Sequence, residues 1–564
     1  MGSAIFDLCD EHVTRAAALD PVSATYRGIT GHDGEGTDYG PDGAAARADL
    51  IRDTLRRLEP LDADPDPGVP DGPAEADRRA AAHLRERLTA ELAWYDAAEW
   101  TCQLRASFGA PQSMRDSVDM IRRDGAEGWR AVCGRLAAVP GMLASWRAAL
   151  DEGLTRGLVA ARRQAVAAAE QADTYAAGTH DALLARYDAE NPADGALRTD
   201  LAGAVSGAHA AYAETARYLR ERYAPHAVER DGSGPRRHAV NARLVLGAEV
   251  DPREAYGWGW AELYRLEAEM AAEAHTIKHG AAVDEVEAEL DATGYVEGAD
   301  AYQDWLQTRH DEAIERLDGV HFDIAPALRR VEVVLAPASS TAGVYYTGPS
   351  EDLARPGRTW WSVAGRTRFT VWEELSTVYH EGVPGHHLQI GQLRAGGARL
   401  SRFSRLNNVS GHSEGWALYA ERLADELGWY ADRPGTRLGM LKAQAMRAAR
   451  VVIDIGIHHD FPLPAAEVDR YGPQWTFEVG MAVLRERGRL AEHAVASEVA
   501  RYCGWPAQAI AYKLGERAWL AARDEARGRL GAAFDLKAWH TAALDAGPVG
   551  LASLAGTLRR ASEA

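Results

Sequence analysis

Apolar residues recur along most of this chain at three- and four-residue intervals. In "LRERLTAELAWY" the residues Leu84, Leu88, Leu92 and Tyr95 form one stripe, and in "AELYRLEAEM" Leu263, Leu266 and Met270 repeat it. Such spacing keeps apolar side chains on one face of a helix and predicts amphipathic helices packed in a bundle. Strand character is confined to "VEVVLAP" (Val331 to Pro337), "GVYYTG" (Gly343 to Gly348) and "TWWSV" (Thr359 to Val363), each bounded by Pro, Gly or Ser. The pattern therefore predicts a mainly α protein with one small sheet, lying immediately before the segment "YHEGVPGHHLQ" (Tyr379 to Gln389). The edge of that sheet can accept an extended peptide as a further strand, or the sheet can be purely structural. Two breaks, "LDADPDPGVPDGP" (Leu61 to Pro73) and "ERDGSGPRRH" (Glu229 to His238), are rich in Pro, Gly and polar residues and read as loops. We divide the chain near the second, into an N-terminal helical lobe at 1–240 and a second lobe at 241–564 that carries the sheet and the histidine-rich segment.

With 564 residues, 46% of them hydrophobic, the chain is long enough for a large core or several packed subdomains. A net charge of -20 argues against nucleic acid and against anionic membrane as partners, since both select basic surfaces. The start, "MGSAIFDLCDEHVTRAAALDP", lacks a basic stretch followed by an apolar run, and no stretch approaches the ~18 apolar residues of a membrane span. The expectation is a cytoplasmic protein. Cys9, Cys102, Cys133 and Cys503 are scattered, with no C-x-x-C spacing, which fits reduced core thiols and not a disulfide framework or a cysteine zinc site.

The candidate chemistry lies in "YHEGVPGHHLQ". His380 and Glu381 form the pair that opens the zinc-hydrolase signature His-Glu-x-x-His, but position 384, where the second histidine belongs, is Pro384. The next histidines, His386 and His387, stand six and seven residues after His380. On a regular helix a six-residue step rises about 9 Å and turns about 240°, and a seven-residue step rises about 10.5 Å, so neither could share a metal with His380. Pro384 cannot donate the hydrogen bond that would run back to the carbonyl of His380, and Gly385 tolerates backbone angles closed to other residues. A bulge there would absorb two residues and bring His386 to the place of the second ligand; the alternative is a histidine-rich bend with no metal. A zinc hydrolase also needs a third ligand and an open position. "NNVSGHSEGWALYAERLADELG" supplies Glu414, 28 residues after His386, and Glu421, seven further on and on the same helix face, one to bind metal and the other to orient a ligand.

The segments "YHEGVPGHHLQ", "SEGWALYAERL", "RAARVVIDIGIHH" and "GWPAQAIAYKLGE", in this order, resemble the successive signatures of the bacterial family catalogued as domain of unknown function 885, grouped with the zincin-like, gluzincin-type metallopeptidases. The resemblance covers most of the chain. It implies a helical two-lobed fold with a thermolysin-like metal site and the small sheet beside the metal-binding helix. It further implies His380, His386 and Glu414 as zinc ligands and Glu381 as general base, with His387 the alternative second histidine. Ala507 stands where the family more often has Gly.

Two later segments have a reading of their own. Arg450, Asp454 and His458 are spaced i, i+4, i+8, so an ion pair and a histidine can line one helix face, either to bind a substrate carboxylate or oxyanion or as a buried structural network. Gln508 and Tyr512 are one turn apart, and Lys513 beside them is one of only four lysines. Tyr512 is the candidate donor to a developing oxyanion, with His458 next in line, and a packed core tyrosine is the alternative. Together these features predict a Zn2+-dependent hydrolase of peptide or peptide-like amide bonds in short substrates. One rival keeps the metal and acts on a small nonpeptide amide or related C–N bond in biosynthesis or salvage. A second is a non-catalytic helical binding protein, against which the intact Glu381 counts. A carboxylate-bridged di-iron bundle would need paired Glu-x-x-His motifs, which are not found.

Overall fold

A computed structural model describes residues 3–61, 73–190, 195–336, 343–363 and 365–561. The chain divides into two units. One comprises Met1–Ala63, Leu88–Ser233 and Cys503–Trp505, the other Asp64–Arg87, Gly234–Tyr502 and Pro506–Ala564. The main break thus lies between Ser233 and Gly234, inside the predicted loop.

The first unit is helical. Its core is organised on α1 (Gly125–Arg156), on which Trp129, Leu136, Leu143 and Leu150 recur every seven residues and are almost wholly buried. Seven residues are close to two turns, so these side chains form one continuous seam. Against it packs α3 (Gly195–Tyr218), which in turn packs on α2 (Arg162–Ala176). Ala165, Ala169 and Ala208, all buried, keep the helix separations small there.

The second unit holds the histidine-rich segment. Its central helix is α8 (Thr436–His459), in which nearly every residue from Leu438 to His458 is buried. It packs on α4 (Pro252–Ile277), whose predicted stripe of Leu263, Leu266 and Met270 is buried against the core. The site helices are α5 (Glu374–Glu381), α6 (His386–Ala395) and α7 (Ser410–Glu426), followed by α9 (Glu492–Gly504) and α10 (Ala511–Leu530). Helices α7 and α10 cross with their backbones almost touching: a Cβ placed on Gly415 would lie 2.4 Å from the carbonyl carbon of Gly515. Only a glycine pair permits this approach, and it draws the residues flanking Gly415 and Gly515, among them Glu414 and Tyr512, towards one another.

The predicted sheet is present as β1 (Val331–Ala336), β2 (Tyr345–Thr347) and β3 (Gly357–Ser362) in the order β1-β3-β2. Strands β1 and β3 are parallel, with Val331 opposite Gly357, and β2 is antiparallel to β3, with Tyr345 opposite Trp360. Pro337, the last residue of the first predicted strand, lies outside the described residues, as do positions 62–72 of the predicted loop. A second, two-stranded sheet pairs Tyr295–Glu297 with Arg368–Thr370. Three residues a strand are too few to show an alternation in the sequence. Among the described residues no helix is long and apolar enough to cross a membrane.

Candidate metal centre

The geometry at Pro384 differs from the predicted bulge. The helix does not continue through the segment; it stops. Helix α5 ends at Glu381, residues 382–385 form a turn containing a cis Val383–Pro384 peptide, and a new helix, α6, begins at His386. The turn is closed by hydrogen bonds from the Gly385 N–H to the Tyr379 carbonyl and from the His387 N–H to the Gly382 carbonyl, both 3.0 Å. It is pinned from outside by the indole N–H of Trp416, which donates to the Pro384 carbonyl at 2.8 Å. A Cβ at Gly385 would lie 2.0 Å from the His380 carbonyl oxygen, so glycine is what lets the chain fold back this tightly. Folding back places the first residue of α6 beside the last turn of α5, which a straight helix could not do.

The result is a convergence of three ligand-type atoms. Glu414 Oε2, from the first turns of α7, lies 3.4 Å from His380 Nε2 and 3.4 Å from His386 Nε2, and all three ligand atoms fall within 4.8 Å of one another. Ligands about 2.0–2.1 Å from a tetrahedral zinc stand about 3.3 Å apart, so the spacing suits such an ion. Glu414 Oε2 is sealed from solvent and has no well-formed hydrogen bond. A buried carboxylate oxygen left in that state is costly unless a cation sits against it. Among the described residues this is the one such cluster of three.

The partners behind the histidines fix which nitrogen faces the centre. His380 Nδ1–H donates to the ionised Glu421 at 2.8 Å, so it is Nε2 that faces Glu414. Glu414 and Glu421, two turns apart on α7, therefore grip opposite nitrogens of one imidazole. Glu421 is itself fully buried and held by the Ser376 hydroxyl at 2.8 Å, the Gln444 amide at 3.3 Å and Arg447 at 3.2 Å. Burial acts to raise its pKa, but Arg447 and the hydrogen bonds outweigh it and hold the carboxylate below its ordinary range. His386 Nδ1 meets the Ser413 hydroxyl at 3.3 Å, and that hydroxyl donates to Gln389 Oε1 at 3.3 Å. Burial and Arg447 act to lower His380, yet Glu414 and Glu421 push it up to about 9; burial opposes the ionisation of Glu414, yet its two histidine neighbours hold it well below the carboxylate range. Glu381 is buried beside the same groups, and burial raises its pKa.

His387 points elsewhere. Its Nε2–H donates to the Leu328 carbonyl at 2.8 Å and its Nδ1 accepts from the Tyr346 hydroxyl of β2 at 3.1 Å, so both nitrogens are spent in tying α6 to the sheet. Tyr512 is brought in: its ring lies 6.4 Å from that of His380, inclined by 19°, and its hydroxyl accepts from Gln508 at 3.4 Å, leaving its own hydrogen available. Lys513 is buried behind the site, where it donates to Gln444 at 2.8 Å and pairs with Glu516 and, at 2.8 Å, with Glu262. It supports Gln444, and through it Glu421.

The predicted face of Arg450, Asp454 and His458 does not act as one unit. Arg450 pairs with Glu498 and not with Asp454, and its guanidinium stacks 4.7 Å from the centre of the Tyr512 ring. Asp454 accepts from His238 at 2.7 Å and from the Ala507 N–H at 3.1 Å. It anchors a turn in which Ala507 takes up φ 66°, a left-handed conformation that favours glycine. His458 does not reach the cluster: its Nε2–H donates to the Tyr502 carbonyl at 3.1 Å, and eleven residues of helix, about 16 Å, separate it from Arg447. Ser376, Ser413, Gln389, Gln444 and Arg447 were not singled out in the sequence. For the last two a signal existed: Gln444, Arg447, Arg450 and Asp454 continue a polar stripe at helical spacing along an otherwise apolar helix.

A mainly helical fold with a His-His-Glu cluster built across a broken helix defines the class. The chain belongs to the family described as "Bacterial protein of unknown function (DUF885)", which matches residues 21–558. It is similar in structure to a chain described as the "putative lipoprotein from Colwellia psychrerythraea", with a TM-score of 0.83 and 21% identity over 99% of this chain and 98% of that one. It is also similar to a "putative lipoprotein of unknown function from Shewanella oneidensis", with a TM-score of 0.70 and 17% identity over 98% and 99%. At these identities the likeness is one of fold. No curated protein matches the chain.

Proposed function

We propose that this protein is a zinc-dependent hydrolase of peptide or peptide-like amide bonds in short substrates, with a site of the zincin-like metallopeptidase kind. The observation that carries the reading is the convergence of His380 Nε2, His386 Nε2 and the buried Glu414 Oε2, with Glu381 immediately beside them. His380, His386 and Glu414 would hold the ion, which when bound supplies a Lewis acid that polarises a carbonyl and lowers the pKa of water towards about 7. Glu381 accepts the proton of the attacking water at its carboxylate and passes it to the amide nitrogen as the C–N bond breaks; a raised pKa suits a group that must take and return a proton near neutrality. Tyr512 donates its hydroxyl hydrogen to the carbonyl oxygen as charge develops there. Glu421, Ser413 and their partners keep the histidine tautomers fixed. We keep the cytoplasm as the proposed location because Cys9, Cys102, Cys133 and Cys503 are scattered and form no disulfide among the described residues; against it stands the description of the two solved structures named above as putative lipoproteins.

The test is Glu381→Gln, assayed against a panel of short peptides and small nonpeptide amides. The variant should keep its fold and zinc and lose activity beyond the roughly 10²- to 10⁴-fold usual for acid–base catalysis, because the same group also positions the water. Turnover near that of the parent would sink the mechanism, and activity confined to the small amides would redirect the substrate class.

A further inference from the structure

One buried arginine near the candidate centre keeps part of its hydrogen-bonding capacity unspent. Arg450 of α8 and Arg501 of α9 converge on a single carboxylate, Glu498: Arg450 Nη2 and Arg501 Nη2 donate to Oε2 at 2.9 Å and 2.8 Å, and Arg501 Nε donates to Oε1 at 3.1 Å. Both guanidinium groups are more than nine-tenths buried, 8% and 6% exposed. Arg501 is used up, since its Nη1 donates to Gln508. Arg450 is not. Its Nε donates to the Tyr502 hydroxyl at 2.9 Å and its Nη2 to Glu498, while Nη1 donates to none of the described residues. Asp454, the other acid on this stretch of α8, is engaged by His238 and the Ala507 N–H and forms no ion pair with Arg450.

The position of this guanidinium gives the free donor a meaning. It lies 4.7 Å from the centre of the Tyr512 ring, and that ring lies 6.4 Å from the His380 ring. At ~3.3 Å per residue, the two steps span no more than about three residues of extended chain. Guanidinium is the group proteins use to bind carboxylates when both must leave water, because its charge-assisted, directional hydrogen bonds repay the desolvation. A buried arginine with one partner carboxylate and an open nitrogen next to a hydrolytic centre is therefore half of a recognition pair.

We infer that Arg450 anchors a carboxylate of the substrate, so that this enzyme acts on short, carboxylate-bearing peptides or amides whose scissile bond lies within about three residues of that group. The inference rests on the hydrolase reading for what happens at the centre, but not for the binding itself. Tyr502 and Glu498 orient the guanidinium, and the Tyr512 ring lies between the anchor and His380.

The test is calorimetric, on the full chain treated with a chelator so that no turnover intervenes. Three probes separate the source of the carboxylate: N-acetyl-alanyl-alanine, its C-terminal amide, and N-acetyl-glutamyl-alanine amide, whose only carboxylate is on the side chain. At least one carboxylate-bearing probe should bind about 10- to 100-fold tighter than the uncharged amide, and the one favoured names the source. Arg450→Gln should bring that probe down to the affinity of the uncharged amide, and Arg450→Lys should restore part of the preference. All three probes binding within about twofold in the parent protein would overturn the inference, with no variant needed. So would an undiminished carboxylate preference in a folded Arg450→Gln protein. A carboxylate preference in a protein that takes up no zinc and hydrolyses nothing would strike the hydrolase reading alone.

Discussion

A histidine binds a metal through whichever nitrogen its neighbours leave free, and sequence spacing does not say which that is. His386 and His387 are adjacent in "PGHHLQ" and were indistinguishable by counting residues; Leu328 and Tyr346, 59 and 41 positions from His387, decide between them. The residues that converge were legible because a His-Glu pair followed by a Glu-bearing helix is chemically specific, whereas the hydrogen bonds that aim the rings come from helices whose packing no local pattern encodes. Tyr512 was legible only as a suspicion, and its 6.4 Å approach to His380 follows from the glycine contact between α7 and α10. If its hydroxyl steadies the oxyanion, Tyr512→Phe should lower kcat by about 10²- to 10³-fold with little change in KM or metal content. Steady-state kinetics beside a thermal melt decides the matter: unchanged kcat with a lowered melting temperature would return Tyr512 to a packing role.

The element that makes the site is the turn at 382–385. Pro384 and Gly385 pointed to an interruption, and the interruption is larger than a bulge: two helices meet at a fold-back that needs Gly385 within 2.0 Å, Cβ to oxygen, of the His380 carbonyl. A single chain position does not reveal whether a helix bends or stops, because that depends on Trp416 reaching the Pro384 carbonyl from α7. Gly385→Ala should therefore cost about 3 kcal/mol or more through overpacking, with zinc uptake lost because the fold-back holds His380 and His386 together. Gly257→Ala on α4, where an added Cβ meets nothing within 4 Å, is the matched control and should be neutral or stabilising by about 0.5–1 kcal/mol. Denaturant unfolding and metal analysis of both variants check this; a Gly385→Ala protein as stable and as zinc-loaded as its parent would refute the account of the turn.

Over the whole molecule, the helical class and the three predicted strands could be read from periodicity, while the assignment of residues 503–505 to the first unit has no local signature. Burial on this scale also sets how the protein responds to acid. His83, His310, His412 and His540 are pushed down to about 3, and His238 and His458 to about 4, in each case first by burial. Between pH 6.5 and 4 the unfolded chain takes up protons that these groups refuse in the folded state, so their contribution to stability is present above about pH 6.5 and lost as the pH falls. His380, raised to about 9, Asp454, raised to about 6, and Glu374, raised to about 7, act in the opposite sense but are fewer. The melting temperature should fall by at least about 5 °C between pH 7 and pH 5; a flat profile would mean that these histidines titrate normally. The central claim is that His380, His386 and Glu414 together hold one zinc ion, and elemental analysis of the purified protein with two variants tests it most directly. One zinc per chain in the parent, almost none in His386→Ala and most of it kept in His387→Ala is the predicted result; a parent that takes up no zinc, or a site emptied by His387→Ala and not by His386→Ala, would contradict it.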